Sequence, residues 1–263
     1  MAATRTVRKR LAETEGDAFG VSRDNGLITL RDAVQVAPSL TRAVYDALRD
    51  EVLSGRILPD EKIPIADTAA RYGVSLSSVR EALSRLVADG LVRAHDQRGF
   101  RASPVSVADL RDVIRVRTEI ESLALRDSIE NGDTDWEARI LAAHHMLSKA
   151  RPFDNGQSGR VSDDWMLRHK AFHRELLSAS TSPWLLRISA MLFDQTERYR
   201  RLLGYIAPHD RGVDDEHREI LEAFLAHDKS RATILIAHHF EATAASLIAK
   251  AATDLSDEGR VAP

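Results

Sequence analysis

From residue 107 to about residue 252, apolar side chains recur at helical spacing, and no stretch alternates long enough to form a sheet. On the first helical run, Leu110, Ile114, Ile120 and Leu123 are expected to face one way, and Gly132 is expected to end the helix. Further helical runs are predicted at about 134–150, 162–179, 183–205, 214–227 and 229–252. The pattern therefore predicts an all-α bundle of about six helices over residues 105–253, because a bundle buries several such stripes at once.

Residues 39–104 carry a different pattern, in which helices precede a hairpin. Val44, Leu48 and Val52 recur at every fourth position and predict an amphipathic helix. A short helix in IADTAARYG is expected to end at Gly73, and Ser75 is a natural N-cap for the next helix. The buried face of that helix is predicted to comprise Val79, Ala82, Leu83 and Leu86. The segment LVRAHDQRGFRASP is typical of strand, turn and strand, with residues 96–99 at the tip, so a winged helix-turn-helix domain is predicted.

Composition limits the chemistry that the chain can perform. The 263 residues include no cysteine, which excludes disulfides and thiolate metal sites and leaves histidine, carboxylate or carbonyl groups as metal ligands. The net charge is −3, but residues 39–104 hold ten Lys/Arg against nine Asp/Glu, whereas residues 105–263 hold twenty-one against twenty-six. Any contact with DNA must therefore come from a local basic surface on the first segment. With no secretion signal and no apolar run near the roughly 20 residues that cross a bilayer, a soluble cytoplasmic protein without membrane contact is expected.

The two ends of the chain, residues 1–38 and 254–263, show no sustained period and are expected to be flexible. Arg5, Arg8, Lys9 and Arg10 are either part of a solvated tail or able to touch a phosphate backbone.

Hydroxyl and guanidinium groups cluster where a recognition helix would enter the major groove. Small serine side chains at the first turn allow close approach and donate hydrogen bonds to phosphates, and Arg80 can reach a guanine edge or a phosphate. The hairpin tip, where Gly99 permits a sharp turn, can place arginines in the minor groove. The alternatives are a capped surface helix and a sequence-independent DNA-binding protein. The candidate DNA-binding residues are Ser75, Ser77, Ser78, Arg80, Arg85, Arg98, Gly99 and Arg101.

Four of the ten histidines are placed to meet inside the predicted bundle. His169 and His173 share one helical face, His217 opens a later helix, and His239 lies in the last helix. Imidazoles that converge from three helices can bind a divalent cation, although each alone is more often an ordinary polar residue. A metal-dependent hydrolase is a second hypothesis, but the chain lacks a His-Glu-x-x-His motif, and Glu216 is the only near candidate for a general base.

The stretch GVSLSSVREALSRLVADGLV followed by RGFRASP resembles the DNA-binding domain of GntR-type bacterial transcription regulators. The resemblance implies a homodimer that binds an inverted-repeat operator, usually as a repressor. Leu76 stands where relatives usually carry arginine, and Ala66 stands where they often carry a basic residue. Since both positions commonly contact DNA in relatives, the operator sequence and the affinity stay open.

The segments HKAFHREL and EHREILEAFLAHDKSRATILIAHHF resemble the FCD effector domain of the FadR branch of that family, in which an Asp/Asn-x-x-Phe-His element and two later histidines bind a metal. The positions in register with this pattern are Phe172, His173, Glu216, His217, Asp228, Ala232 and His239. His169 stands where relatives have Asp or Asn. Either it is a fourth nitrogen ligand, which would favour zinc or nickel, or it leaves the site weaker.

In relatives the pocket of this domain holds a small organic acid. The stretch VRTEIES resembles their first helix and makes Arg117 a candidate to bind the acid's carboxylate in a bidentate contact. The alternative is a structural bridge to Glu121, worth roughly a few tenths of a kcal/mol on an exposed helix. Binding of the acid would release DNA if the acid prefers the arrangement that does not bind DNA.

Overall fold

The computed structural model describes residues 40–95, 98–153, 161–203 and 212–258, with side chains as far as residue 251. The chain divides into two compact units between Pro104 and Val105. The predicted basic group of Arg5, Arg8, Lys9 and Arg10, and residues 96–97 of the predicted hairpin tip, lie outside the described residues.

The first unit is a winged helix-turn-helix domain, as predicted. Its elements are α1 (Leu40–Leu53), β1 (Lys62–Ile63), α2 (Ile65–Tyr72), α3 (Leu76–Ala88), β2 (Val92–His95) and β3 (Gly99–Ala102). The strands form an antiparallel sheet in the order β1-β3-β2. The two-residue β1 was not predicted, because a strand that short carries no measurable alternation.

The predicted apolar faces of α1 and α3 form the core of this unit. The buried side chains of these faces are Val44, Leu48, Val52, Val79, Ala82, Leu83 and Leu86. Gly73 ends α2 at a φ of 67°, the left-handed region that favours glycine. Ser75 then caps α3, since its hydroxyl accepts the Ser78 amide N–H at 3.1 Å. Both signals confirm the predicted turn and fix where the N-terminus of α3 begins.

The second unit is a helical bundle, and its described part contains six helices. They are α4 (Val107–Asn131), α5 (Thr134–Lys149), α6 (Asp163–Leu177), α7 (Pro183–Leu202), α8 (Val213–Leu225) and α9 (Lys229–Glu258). α4 packs against both α7 and α9, α5 against α6, and α8 against α9. The predicted helical runs are confirmed to within a few residues, although α9 continues into the segment 254–258 that was expected to be part of a flexible tail.

The buried face of α4 differs from the predicted one. Leu110 and Ile114 are buried, but Leu123 is 48% exposed. Arg117 and Glu121 lie inside instead, 2% and 3% exposed. Because polar residues occupy part of the buried face of α4, the apolar residues alone do not mark that face, and their spacing predicted a partly wrong one.

The last helix is also unusual in composition. The stretch Lys229–Ala251 is long and apolar enough, by length and composition alone, to cross a membrane, a property that the sequence analysis did not recognise. In the bundle, however, it buries Ala232, Ile236 and Phe240 against neighbouring helices. Only 39% of its apolar window is buried in the bundle, and the buried face also contributes a histidine to the candidate site.

Candidate metal centre and nucleic-acid interface

Four histidines converge inside the helical unit. His169 and His173 lie one turn apart on α6, His217 lies near the start of α8, and His239 lies in the middle of α9. Each is buried, with 1% to 3% of its surface exposed. One ring nitrogen from each lies within 4.8 Å of the corresponding nitrogens of the others. The fold thus brings together all four histidines that the sequence singled out.

Two of the rings, those of His169 and His173, favour the neutral form that a metal ligand needs. Burial lowers the pKa of His169 and of His173 well below its usual value, and neighbouring positive charge, including Arg200 beside His169, lowers it further. Nε2 of His173 lies 3.1 Å from Nε2 of His169. Two nitrogens bound to one cation at about 2.1 Å lie roughly 3.0–3.4 Å apart at cis or tetrahedral angles, so this spacing suits a shared ion.

Glu216 fixes the orientation of one ring of the quartet. Its Oε2 accepts a hydrogen bond from Nδ1 of His239 at 2.7 Å. A carboxylate can only accept this bond, so Nδ1 carries the proton and Nε2 of His239 keeps its lone pair. Carboxylate partners of this kind orient metal-binding histidines in many proteins. From the sequence, Glu216 was only a candidate base, because its partner lies 23 residues away on another helix.

Arg117 and Glu121 form a buried ion pair beside the histidines. Nε of Arg117 donates to Oε1 of Glu121 at 2.6 Å, and both side chains are 3% exposed. The guanidinium also lies over the rings of Phe193 and Phe240, 4.8 and 4.0 Å from their centroids. Burial raises the pKa of Glu121, and Arg117 opposes that rise. The bridge that the sequence analysis placed on an exposed helix is therefore present but buried.

A part of this arginine is still available for a ligand. Within the described residues, Nη2 of Arg117 is buried and has no hydrogen-bond partner. A buried donor of this kind is costly unless something binds it. The two roles left open for Arg117 are consequently compatible, because Nε binds Glu121 while Nη2 faces no acceptor.

A second set of buried charges lies along α7, where the sequence TERYRRLLGY made Arg198 and Arg200 possible residues of the cavity wall. Glu197, Arg198 and Arg200 are 5%, 1% and 6% exposed. Nη1 of Arg200 lies 3.3 Å from Oε1 of Glu197 and 3.3 Å from Nδ1 of His169. Burial raises the pKa of Glu197. Charged runs such as TERYRRL usually face solvent, so the burial of this one is unusual.

A cavity of about 310 Å³ opens beside the histidines. Its walls come from α4, α6 and α7, and they include His173, Glu121 and Phe193. The cavity therefore adjoins both the quartet and the aromatic ring under Arg117.

On the first unit, the predicted serines form a compact hydroxyl cluster at the N-terminus of α3. Oγ of Ser75 lies 2.8 Å from Oγ of Ser77 and 2.9 Å from Oγ of Ser78. The cluster adjoins the amides at the N-terminus of α3, a combination that favours a phosphate group.

The predicted arginines differ in how far they are already engaged. Arg80 and Arg98 are exposed. Arg85 is exposed as well but pairs with Glu81 at 2.7 Å, and Nη1 of Arg101 donates to the carbonyl of Asp60 at 2.6 Å.

Gly99 has a φ of 86° at the start of β3. This left-handed backbone supports the expectation that the hairpin needs a glycine there.

Two basic residues of the wing were missed by the sequence analysis. Lys62 on β1 and Arg93 on β2 both lie opposite Arg101 on β3. Directly paired residues share one face of a sheet, so three cations form a row across it. Like charges in such a row repel each other, and a bound phosphate backbone would relieve the repulsion. Without β1, nothing in the sequence indicated that these residues align.

Comparisons with known proteins agree with both units. Residues 40–101 match the family described as bacterial regulatory proteins, gntR family, and residues 112–242 match the FCD domain. The uncharacterized HTH-type transcriptional regulator BphR of Paraburkholderia xenovorans (strain LB400) is 38% identical over 205 residues, which cover 78% of this chain and 84% of the relative. The HTH-type transcriptional repressor GlaR of Escherichia coli (strain K12) is 34% identical over 201 residues, which cover 74% of this chain and 90% of the relative. The solved structure of E. coli McbR/YncC shares the fold, with a TM-score of 0.67 and 22% identity over 81% of this chain and 98% of that chain.

Proposed function

Because the chain belongs to the GntR family of bacterial regulatory proteins and carries an FCD domain, we propose that it is a FadR-type repressor whose binding to DNA is controlled by a small organic acid at a metal site. The chain is a DNA-binding transcriptional regulator, like the relatives that it matches, and not an enzyme. The metal-dependent hydrolase considered from the sequence is set aside on that ground. A regulator of this class works on the chromosome, so we place it in the cytoplasm.

The observation that carries the proposal is the buried quartet of His169, His173, His217 and His239. Four neutral imidazoles are a donor set that suits zinc or nickel better than magnesium or calcium, which prefer oxygen ligands. Nε2 of His173 lies 3.1 Å from Nε2 of His169, so with neutral rings at least one of these two nitrogens keeps a lone pair there, and a shared cation would bind both. A bound cation that accepts a further ligand would attract a carboxylate.

The acid-binding role rests on the groups beside the quartet. Nη2 of Arg117 is a buried cationic donor that can bind a carboxylate oxygen. The cavity of about 310 Å³ next to His173 provides the space for the rest of the acid. An acid bound there contacts α4, α6 and α7 together, and a ligand that favours one arrangement of these helices can shift the protein between states.

DNA binding is assigned to the hydroxyl cluster of α3 and to the basic residues of the wing. Arg80 is exposed and would contact a base edge or a phosphate from the major groove. The serine hydroxyls and the row formed by Lys62, Arg93 and Arg101 would contact phosphates, which the pairing of these three residues on one sheet face supports. We infer a homodimer, because two such domains related by a twofold axis bind an inverted repeat with one half-site each.

Metal analysis of the full-length protein tests the sensing half of this proposal. Protein purified without added metal is analysed by elemental mass spectrometry, and the stripped protein is titrated calorimetrically with Zn²⁺ and Ni²⁺. We expect one ion per chain, and a loss of affinity of about 100-fold or more for His217→Ala, since removal of a ligand costs more than removal of a supporting group. His145→Ala, which alters an exposed histidine on α5, is the matched control. Equal affinities for the two variants would refute the metal site.

Selection of binding sites from a random duplex library tests the DNA-binding half. An enriched inverted repeat supports a dimeric regulator, whereas enrichment of no motif contradicts specific recognition. On the selected site, Arg80→Ala is expected to weaken binding about tenfold or more. Arg126→Ala, an exposed arginine of α4, should leave binding unchanged.

A further inference from the structure

The cavity beside the histidine quartet is lined in a way that restricts the acid. Four of its lining residues on α6 and α7 are apolar: Leu177, Leu186, Ala190 and Phe193. The lining also holds the buried Glu121, which is only 3% exposed, and the cations Lys170 and Arg174, whose side chains are 39% and 73% exposed. A ligand in the inner part of this space therefore meets mainly apolar side chains.

One polar group of the wall lacks a partner. Ser189 is 4% exposed, and in the described part of the chain its hydroxyl makes no hydrogen bond. Ser189 lies one turn before Phe193 on α7, so the two side chains share a helical face. A buried hydroxyl is normally hydrogen-bonded, which indicates that a ligand group binds it.

The direction of the ligand follows from Arg117. Its guanidinium lies 4.8 Å from the ring centroid of Phe193, which is itself part of the wall. Arg117 does not itself line the cavity, but an acid whose carboxylate binds Nη2 beside Phe193 can extend its body along that ring, towards Ser189. A flat ring packs well in that position, because offset and edge contacts between aromatic rings are favourable.

The volume of the cavity and the charges of its lining restrict the chemical class of the acid further. A dry cavity of roughly 150 Å³ holds one benzene molecule, so a cavity of about 310 Å³ has room for one ring together with a carboxylate and a substituent. A second carboxylate beside the buried Glu121 would be unfavourable, and the two cations of the lining, Lys170 and Arg174, already pair with Asp194 and Glu175. We propose that the acid is an aromatic monocarboxylate whose ring occupies this cavity and whose hydroxyl substituent binds Ser189. This inference rests on the proposed function, since it names the class of the controlling acid.

Calorimetric titration of the metal-loaded, full-length protein tests the inference. The probes are benzoate and its three monohydroxylated isomers, with acetate and citrate as small and polyanionic acids. We expect benzoate to bind about tenfold or more tightly than acetate or citrate, and one hydroxylated isomer to bind more tightly than benzoate. In Ser189→Ala, that isomer should lose its advantage while benzoate keeps its affinity.

Filling the cavity gives an independent test. Ala190→Phe is expected to weaken all the aromatic acids about tenfold or more while leaving acetate nearly unchanged. The matched control is Ala142→Phe, an exposed position on α5. Leu186→Trp fills the same space from a different turn of α7. It replaces Ala190→Phe in this test if Ala190→Phe unfolds the bundle.

The outcomes separate the two proposals. If citrate or acetate binds at least as tightly as the aromatic acids, or if both filling variants bind benzoate normally, the aromatic class is wrong while control by an acid stands. If none of these acids binds, both the inference and the acid-controlled function are overturned.

Discussion

The buried ion pair of α4 gives the sharpest prediction about the stability of the helical unit. Arg117→Met removes the partner of Glu121, whose side chain is only 3% exposed, and leaves a carboxylate with no cation beside it. Breaking a buried pair in this way typically costs about 3–5 kcal/mol of unfolding free energy. Methionine has a similar length and keeps part of the packing on Phe193 and Phe240, so most of the loss reflects the charge.

The pH dependence of that loss identifies its cause. Burial already raises the pKa of Glu121 while Arg117 is present, and removing Arg117 raises it further. A carboxyl group whose pKa is higher in the folded than in the unfolded protein binds more protons when folded, so folding stability falls as the pH rises between the two values. The deficit of Arg117→Met relative to the wild type should therefore shrink from pH 8 towards pH 5.

Urea unfolding followed by tryptophan fluorescence measures this loss in the helical unit alone. All three tryptophans of the chain, Trp136, Trp165 and Trp184, lie in that unit. Arg115→Met is the matched control, because Arg115 forms an exposed pair with Asp112 on the same helix and should cost less than about 0.5 kcal/mol.

A double variant completes a double-mutant cycle. Arg117→Met combined with Glu121→Gln removes both charges, and its unfolding free energy should return to within roughly 1–2 kcal/mol of the wild-type value. The reasoning is wrong if Arg117→Met costs no more than Arg115→Met, or if the two changes at positions 117 and 121 are simply additive.

Three further predictions concern other parts of the molecule. Ser75→Ala removes the cap of α3 and should destabilise the start of that helix by about 1 kcal/mol, seen as faster hydrogen exchange of its first amides; unchanged exchange would count against the cap. In metal-stripped protein, burial keeps His169 and His173 neutral in the folded state, whereas both can bind a proton once unfolded. The unfolding free energy of the helical unit should therefore fall by up to about 1.4 kcal/mol per histidine for each pH unit below 6.5. An unfolding free energy in urea that stays constant between pH 7.5 and 5.5 would contradict this. Glu216→Gln should weaken zinc or nickel binding about 10- to 100-fold in calorimetry, because a neutral amide oxygen is a weaker acceptor for Nδ1 of His239 than the carboxylate; an unchanged affinity would exclude that role.

The parts of the structure that were predictable are those encoded locally. Gly73 and Ser75 define the turn before α3 through their own backbone and side-chain preferences, so the sequence alone is sufficient. The convergence of the four histidines was also predictable in outline, since His169 and His173 share a helical face by spacing. That His217 and His239 meet them depends on how α8 and α9 pack, and there the expectation came from the resemblance to the FCD domain.

What could not be predicted has a common physical cause. Burial of a charged residue depends on partners from other helices, and no local pattern records them. Leu123 was expected on the buried face because it is apolar, yet it is 48% exposed; Arg117, for which a role in the pocket and an exposed bridge were both open, is 2% exposed. Arg117 is stabilised inside by Glu121 on its own helix and by aromatic rings from α7 and α9, and only the first of these lies close in sequence.

The burial of charged groups bears on where function is to be sought in the helical unit. A bundle that needed only stability would gain by replacing a buried polar cluster with apolar side chains of similar volume, since buried charges rarely stabilise more than such replacements. The unit instead retains four histidines, Arg117 and the charged run of α7 in its interior, at a cost that a ligand can offset. If so, a metal ion together with an acid should raise the unfolding free energy of the helical unit more than either alone, because each satisfies polar groups that the other leaves unbound.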